Sequence, residues 1–208
     1  MSLPLVEPTG LADRIDRADE RALAVSALAC LDRCLPLLEY VDGVTVTADA
    51  ADAALRPLWE AAEGGEEWLG RLRLAAAAVV RAADHADPGV EPAGPADAGA
   101  MDVGPVDAGP VEAGPVELLR RAAAVPRRYE AGELREWAVE CSAVALSVHR
   151  HLDGGRDGGP LTTGERRRQE RLLDLLAEDG DGLRAAFVQS TEGKRVLRAA
   201  AARRARRR

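Results

Sequence analysis

Residues 23–41 read Leu-Ala-Val-Ser-Ala-Leu-Ala-Cys-Leu-Asp-Arg-Cys-Leu-Pro-Leu-Leu-Glu-Tyr-Val, and this stretch decides the fold. Leu23, Ala27, Cys30, Cys34, Leu38 and Val41 follow one another in steps of three and four, the spacing of a single α-helical face. Leu28, Leu31 and Leu35 widen that face, so the sequence predicts a buried, central helix from about Leu11 to Val41. Pro36 falls inside it and should kink or divide it, because proline has no N–H to donate and its ring crowds the preceding turn. Asp32 and Arg33 stand in the middle of this otherwise apolar segment.

The same style extends outward. Helices are expected from Thr47 to about Ala62, with Thr47 as cap and Pro57 inside, and from about Glu66 to Ala86 after Gly64-Gly65. Further helices are expected at Val116–Ala124, at about Gly132–Leu152, and from Thr162, where Glu165 three residues on completes a capping box. Asp179-Gly180-Asp181-Gly182 should break the chain before Leu183–Val188, leaving a last, frayed basic element from about Thr191. Val44–Thr47 is the single strand-like run, too short to found a sheet.

Composition agrees. Of 208 residues, 47% are hydrophobic but only 3% aromatic, and 41 are alanine, so β-branched and aromatic runs suited to a sheet are scarce. The fold class is all-α: a helical bundle carrying a long Gly/Pro-rich acidic linker. That linker is set by a pentad, with glycine at 94, 99, 104, 109 and 114 and the copies GPVDA, GPVEA and GPVEL. Six prolines and six glycines between 88 and 115 stop helix and ladder alike. The division expected is an N-terminal helical half over 1–87, a disordered linker over 88–116, a C-terminal half of the same bundle over 117–192, and a basic tail over 193–208.

Charge is unevenly placed. The tail holds Lys194, Arg195, Arg198, Arg203, Arg204, Arg206, Arg207 and Arg208 with no acid; removing that +8 from the total of −7 leaves −15 for the rest. Such a run can neutralise phosphates, lie on anionic lipid, or fold back on its own acidic body, and the last reading is preferred. No apolar run approaches the roughly 20 residues of a membrane span. The N-terminal residues lack the basic start and apolar stretch of a signal peptide, so a cytoplasmic protein with reduced thiols is expected.

Two segments together resemble a known family. Ala29-Cys30-Leu31-Asp32-Arg33-Cys34-Leu35-Pro36, with Trp59 near the end of the following helix, is one; Cys141 to Leu152, CSAVALSVHRHL, is the other. Both are similar to the YjaG-like family of small helical bacterial proteins, a domain of unknown function. The resemblance implies an all-helical bundle and no activity, and the pentad insert and basic tail depart from it. A looser likeness, in the alanine-rich helices and Cys34-Leu35-Pro36-Leu37-Leu38-Glu39, is to helical immunity proteins of bacterial toxin systems.

Chemistry is sparse. Cys30, Cys34, Cys141 and His149 could form a Cys3His zinc set, but the usual C-x2-C spacing is missing and free cysteines on an apolar face are common core residues. His149 and His151 point to different sides of their helix, His151 nearer the buried face and His149 on a flank. No Gly-x-Ser-x-Gly, P-loop or dinucleotide fingerprint occurs. Asp32, Arg33 and His149 form the best candidate polar site. The leading expectation is a non-catalytic helical binding or interaction protein without cofactor, able to form a homo-oligomer or meet an unknown protein partner. Alternatives are an immunity-type protein neutralising a toxin, nucleic-acid or membrane association through the tail, and an enzyme using His149 as acid or base.

Overall fold

The computed structural model describes residues 10–40, 48–60, 64–85, 114–178 and 182–206. Among them the chain forms eight α-helices and one 3₁₀ helix, and no strand. Of the linker expected over 88–116, residues 88–113 lie outside the described residues. Gly114 caps a helix that begins at Pro115, so the last residues of that span are helical and not linker. The strand-like run at 44–47 and the cap at Thr47 also lie outside the described residues.

The predicted first helix is two. α1 spans Leu11–Arg17 and α2 spans Glu20–Cys34. The break has a local cause: the Asp19 carboxylate accepts a 2.7 Å hydrogen bond from the Ala22 N–H, capping a new helix rather than continuing the old one. At the other end the chain tightens into a 3₁₀ helix over Leu35–Tyr40, with the Leu35 N–H bonded to the Asp32 carbonyl. Pro36 explains this division, since it cannot donate the next α-helical bond.

α2 is the axis of the molecule. Every residue from Ala22 to Leu37 is buried, and α2 packs most extensively on α6 (Ala131–Leu152), then on α8 (Gly182–Ala205) and α7 (Pro160–Ala177). Ala24, Ala27 and Ala29 on α2 and Ala138 and Ala145 on α6 are all buried, and such small side chains let helix axes approach closely. α3 (Ala48–Glu60), α4 (Glu66–His85) and α5 (Pro115–Ala122) pack in sequence beside this centre. Gly64 and Gly65, both at positive φ, turn the chain into α4.

Trp59, Trp68 and Trp137 are buried with Cys30, Cys34 and Cys141, as expected for core residues. The Trp137 indole N–H and the Cys141 thiol both donate to the Ala122 carbonyl, which ties α6 to the end of α5. All three cysteines are free thiols, and burial pushes that of Cys30 up to about 12, so it stays protonated. Among the described residues no helix is long and apolar enough to cross a membrane.

Two corrections concern the C-terminal half. α7 begins at Pro160, so Thr162 and Glu165 lie inside it and form no capping box. The cap comes instead from Asp153, whose carboxylate accepts from the Leu161 and Thr162 N–H groups and from the Thr162 hydroxyl. The expected separation of Leu183–Val188 from a frayed basic element beginning at about Thr191 is also replaced, because α8 runs unbroken from Gly182 to Ala205. Gly193, Leu197, Ala200 and Ala201 make one small buried face at helical spacing, and packing holds that segment as helix.

Candidate functional site

Arg33 leaves α2 toward α7 and is fully enclosed, a rare position for a guanidinium unless it is paired. Its Nε and Nη2 donate to one oxygen of Glu165, at 3.0 and 2.6 Å, and Nη2 also reaches the Cys30 sulfur at 3.3 Å. Both side chains are sealed, at 1% and 0% exposure. The same Glu165 oxygen accepts from Gln169 Nε2 at 3.0 Å, and Gln169 accepts from the Ser142 hydroxyl of α6 at 2.6 Å. One polar lattice therefore joins α2, α6 and α7.

His149 closes it. Its Nδ1 lies 2.7 Å from the Ala145 carbonyl, and since a carbonyl only accepts, Nδ1 carries the proton. Nε2 faces Glu165 Oε2 at 3.7 Å, and neither atom has a hydrogen-bond partner. Arg168 Nη1 stands 3.5 Å from the same Oε2. Burial pushes the imidazole below its ordinary value, and Glu165 opposes this only in part. Burial would raise the Glu165 carboxyl, yet Arg33 and its other partners hold it below the usual carboxylate value.

Asp32 belongs to a different cluster. It accepts from the Ser190 hydroxyl at 3.0 Å and from Lys194 at 2.9 Å, both on α8. Lys194 continues to Asp52 of α3, which also takes Arg56 at 3.3 Å. Burial lifts the Asp32 carboxyl above its ordinary value even with Lys194 pulling it back. Lys194 is held above its own ordinary value by the two carboxylates despite partial burial. Of the sequence-predicted trio, the structure brings Arg33 and His149 together through Glu165 and takes Asp32 to the other side of α2. His149, expected on a flank, is fully buried, whereas His151 keeps partial exposure.

Sequence reasoning missed Glu165, Gln169, Ser142 and Ser190. The signal for the first two was present: Thr162, Glu165, Gln169 and Leu172 step by three and four, which sets Glu165 on the buried face. The run Arg166-Arg167-Arg168 beside it suggested a solvated face instead.

Part of the predicted anion-binding tail is engaged within the chain. Lys194 is spent on Asp32 and Asp52, Arg195 pairs with Glu192, and Arg204 donates to the His151 carbonyl at 3.0 Å. Arg198, Arg203 and Arg206 are exposed; Arg207 and Arg208 lie outside the described residues. Arg203 and Arg204 border an open cleft of about 660 Å³ with Leu152, Asp153, Pro160 and Leu161, remote from the Arg33 centre in its lining. Arg33 itself lines an internal cavity of about 10 Å³ with Ser26, Cys30, Ser142 and Gln169. Among the described residues no group of three His, Cys, Asp or Glu side chains is placed to hold a metal ion.

No family model, no curated protein and no solved structure matches this chain.

Proposed function

We propose that the chain is a non-catalytic helical interaction protein. The observation that carries this reading is a contrast in exposure. The chemically capable groups of the Arg33 centre and its neighbours, His149, Glu165, Cys30, Cys34 and Cys141, are sealed under helices. A general base or nucleophile must come within hydrogen-bond reach of its substrate, and these sit below the surface. Large apolar side chains meanwhile stand in solvent: Phe187 and Val188 on α8, Leu74 on α4 and Val139 on α6.

Phe187 is the best anchor. It contacts Trp59 edge-on, with ring centroids 5.4 Å apart, so a partner covering it would extend a surface already held in place from beneath. The partner inferred is another protein. An acidic total of −7 favours a basic one, and the immunity-type reading is one form of that proposal. Likeness to the YjaG-like family is a proposal of the same standing and adds no activity. Association with nucleic acid or lipid through the C-terminal helix is a weaker reading, since several of its cations already have partners within the chain.

A photo-crosslinking residue at position 188 tests the proposal against a control at exposed Arg71. In host cells the 188 probe should give a discrete adduct that disappears with Phe187→Asp. Equal labelling from both positions, or an adduct that survives Phe187→Asp, would count against an α8-centred interaction surface.

A further inference from the structure

α1 sits on the bundle as a separate piece. It packs on α7 and α6 rather than along α2, the helix it leads into. Leu11 and Ile15, one turn apart, close a small cavity with Ala138 and Ser142 of α6 and Leu172 and Leu173 of α7. Charged links fix the register. Arg14 Nε donates to Asp174 of α7 at 2.8 Å, with Glu170 adding negative charge, and Arg135 of α6 donates to the Asp16 carbonyl at 3.3 Å. The groove therefore reads apolar residues at i and i+4 with an arginine at i+3. Solvent reaches these links, so the apolar pair carries most of the attachment. Seven residues are too few to hold a helix alone, and it is the groove that keeps α1 helical.

The joint between α1 and α2 supports a second conformation. In the structure Ala18 and Asp19 are extended, and the Asp19 carboxylate caps α2, so α2 starts without help from α1. Yet Leu11, Ile15, Ala18, Ala22, Val25 and Ala29 follow one another in steps of four and three, the stripe of one unbroken helix. Straightening the joint gives up the Asp19 cap and gains the helical bonds of the joint residues. It also carries α1 away from its place on α6 and α7. Each straightened copy then has a bare groove and a free α1 that matches it. Exchange between two copies restores every contact of the closed form, so apart from the joint the cost is that of association alone.

We propose that two copies of this chain exchange α1, each helix leaving its own α6–α7 groove to fill the other's, in a two-fold symmetric dimer. The occupant is a second copy because the groove's pattern is met by Leu11, Arg14 and Ile15 of this same sequence. The interface lies on α6 and α7 and does not involve Phe187 on α8, so it stands apart from the surface proposed above.

A charge exchange tests this on the full chain. Arg14→Glu sets a carboxylate against Asp174, and Asp174→Arg sets two guanidiniums together, so each variant alone is mismatched in its own groove and in self-exchange. Mixed, they match in both grooves of an exchanged pair: the new glutamate meets the new arginine, and native Arg14 meets native Asp174. Sedimentation velocity should show a dimer in the mixture and monomers in either variant alone. In the wild type the dimer fraction should rise with concentration and disappear in Ile15→Asp. Asp19→Ala removes the cap that holds the bend and should lower the midpoint concentration about tenfold, because each dimer gives up two caps. If a charge variant fails to fold, the wild type and Asp19→Ala decide. A folded mixture that stays monomeric, a wild type that is monomeric at every concentration, or a dimer indifferent to Ile15→Asp or Asp19→Ala would overturn the proposal.

Discussion

Asp32 and Arg33 are neighbours on one helix and meet opposite circumstances. Successive residues on an α-helix point about 100° apart, so the two side chains necessarily serve different helix pairs. Arg33 enters a closed centre where its partner Glu165 has no exposure. Asp32 enters a bridge in which Lys194 keeps 16% and Asp52 31% of its side-chain surface in water. Both are salt-bridged clusters holding three elements together, but solvent screens only the second. The comparison teaches that burial, more than the number of ion pairs, sets how much each cluster governs the fold.

Breaking the closed side should therefore have the largest effect. Arg33→Met leaves Glu165 buried without its main counter-charge, and loss of one partner of a buried pair typically costs about 3–5 kcal/mol. Chemical denaturation read by far-UV circular dichroism checks this. The double variant Arg33→Met/Glu165→Leu should recover much of the loss, because an apolar pair of similar volume removes the stranded charge. If the double variant is no better than the single, packing at Arg33 rather than its charge is what matters.

The open side sharpens the contrast. Lys194→Met strands Asp32, but Ser190 still donates to it and water can approach through the half-open edge. A loss of about 2 kcal/mol is expected, within the range for a buried polar group left partly unsatisfied. A loss equal to that of Arg33→Met would show that the two sides are not differently screened.

How much of this was legible depends on which signal a residue sends. The all-helical class could be read in the three-and-four stripe of α2, because burial on one face leaves a period in the sequence. The split at Asp19 could not, because one carboxylate outcompeted an unbroken apolar pattern. Glu165 was misassigned to a capping box because a Thr-x-x-Glu spacing is the same at a helix start and along a buried face. Only Asp153, nine residues before Thr162 and beyond a glycine-rich loop, decides between them. Arg33 and His149 were chosen for standing on apolar helices, which is sound, but their link runs through a third helix that neither segment specifies.

Gly193 opens the basic tail in the sequence, and the structure gives it a packing role inside α8. A β-carbon there would overlap Cδ of Arg33, so glycine is what lets α8 lie against the buried guanidinium stem. Glycine to alanine inside a helix ordinarily gains up to about 1 kcal/mol. Gly193→Ala should lose about 1 kcal/mol instead, since overpacking costs about 1–3 kcal/mol. Gly70 on α4 has open space where its β-carbon would be, and Gly70→Ala should show the ordinary gain. Thermal melts of the two variants side by side test this, and equal signs would remove the steric role assigned to Gly193.

The smallest effect belongs to Asp52, the outermost member of the open bridge. Burial would raise its carboxyl, but Lys194 and Arg56 together hold it below the ordinary value of 3.8. A carboxylate lowered on folding contributes stability that is complete above its unfolded value and disappears as pH falls through the folded one. The window accordingly opens below pH 3.8. Asp52→Asn keeps the side-chain shape and removes the charge, while Lys194 retains Asp32, so less than about 1 kcal/mol should be lost. Because solvent reaches this pair, the difference between Asp52→Asn and wild type should shrink further in high salt. The Arg33→Met loss should barely change under the same salt, because ions do not enter the sealed centre. Denaturation of both variants at low and high ionic strength makes the test, and equal salt sensitivity would erase the distinction between the two faces of α2.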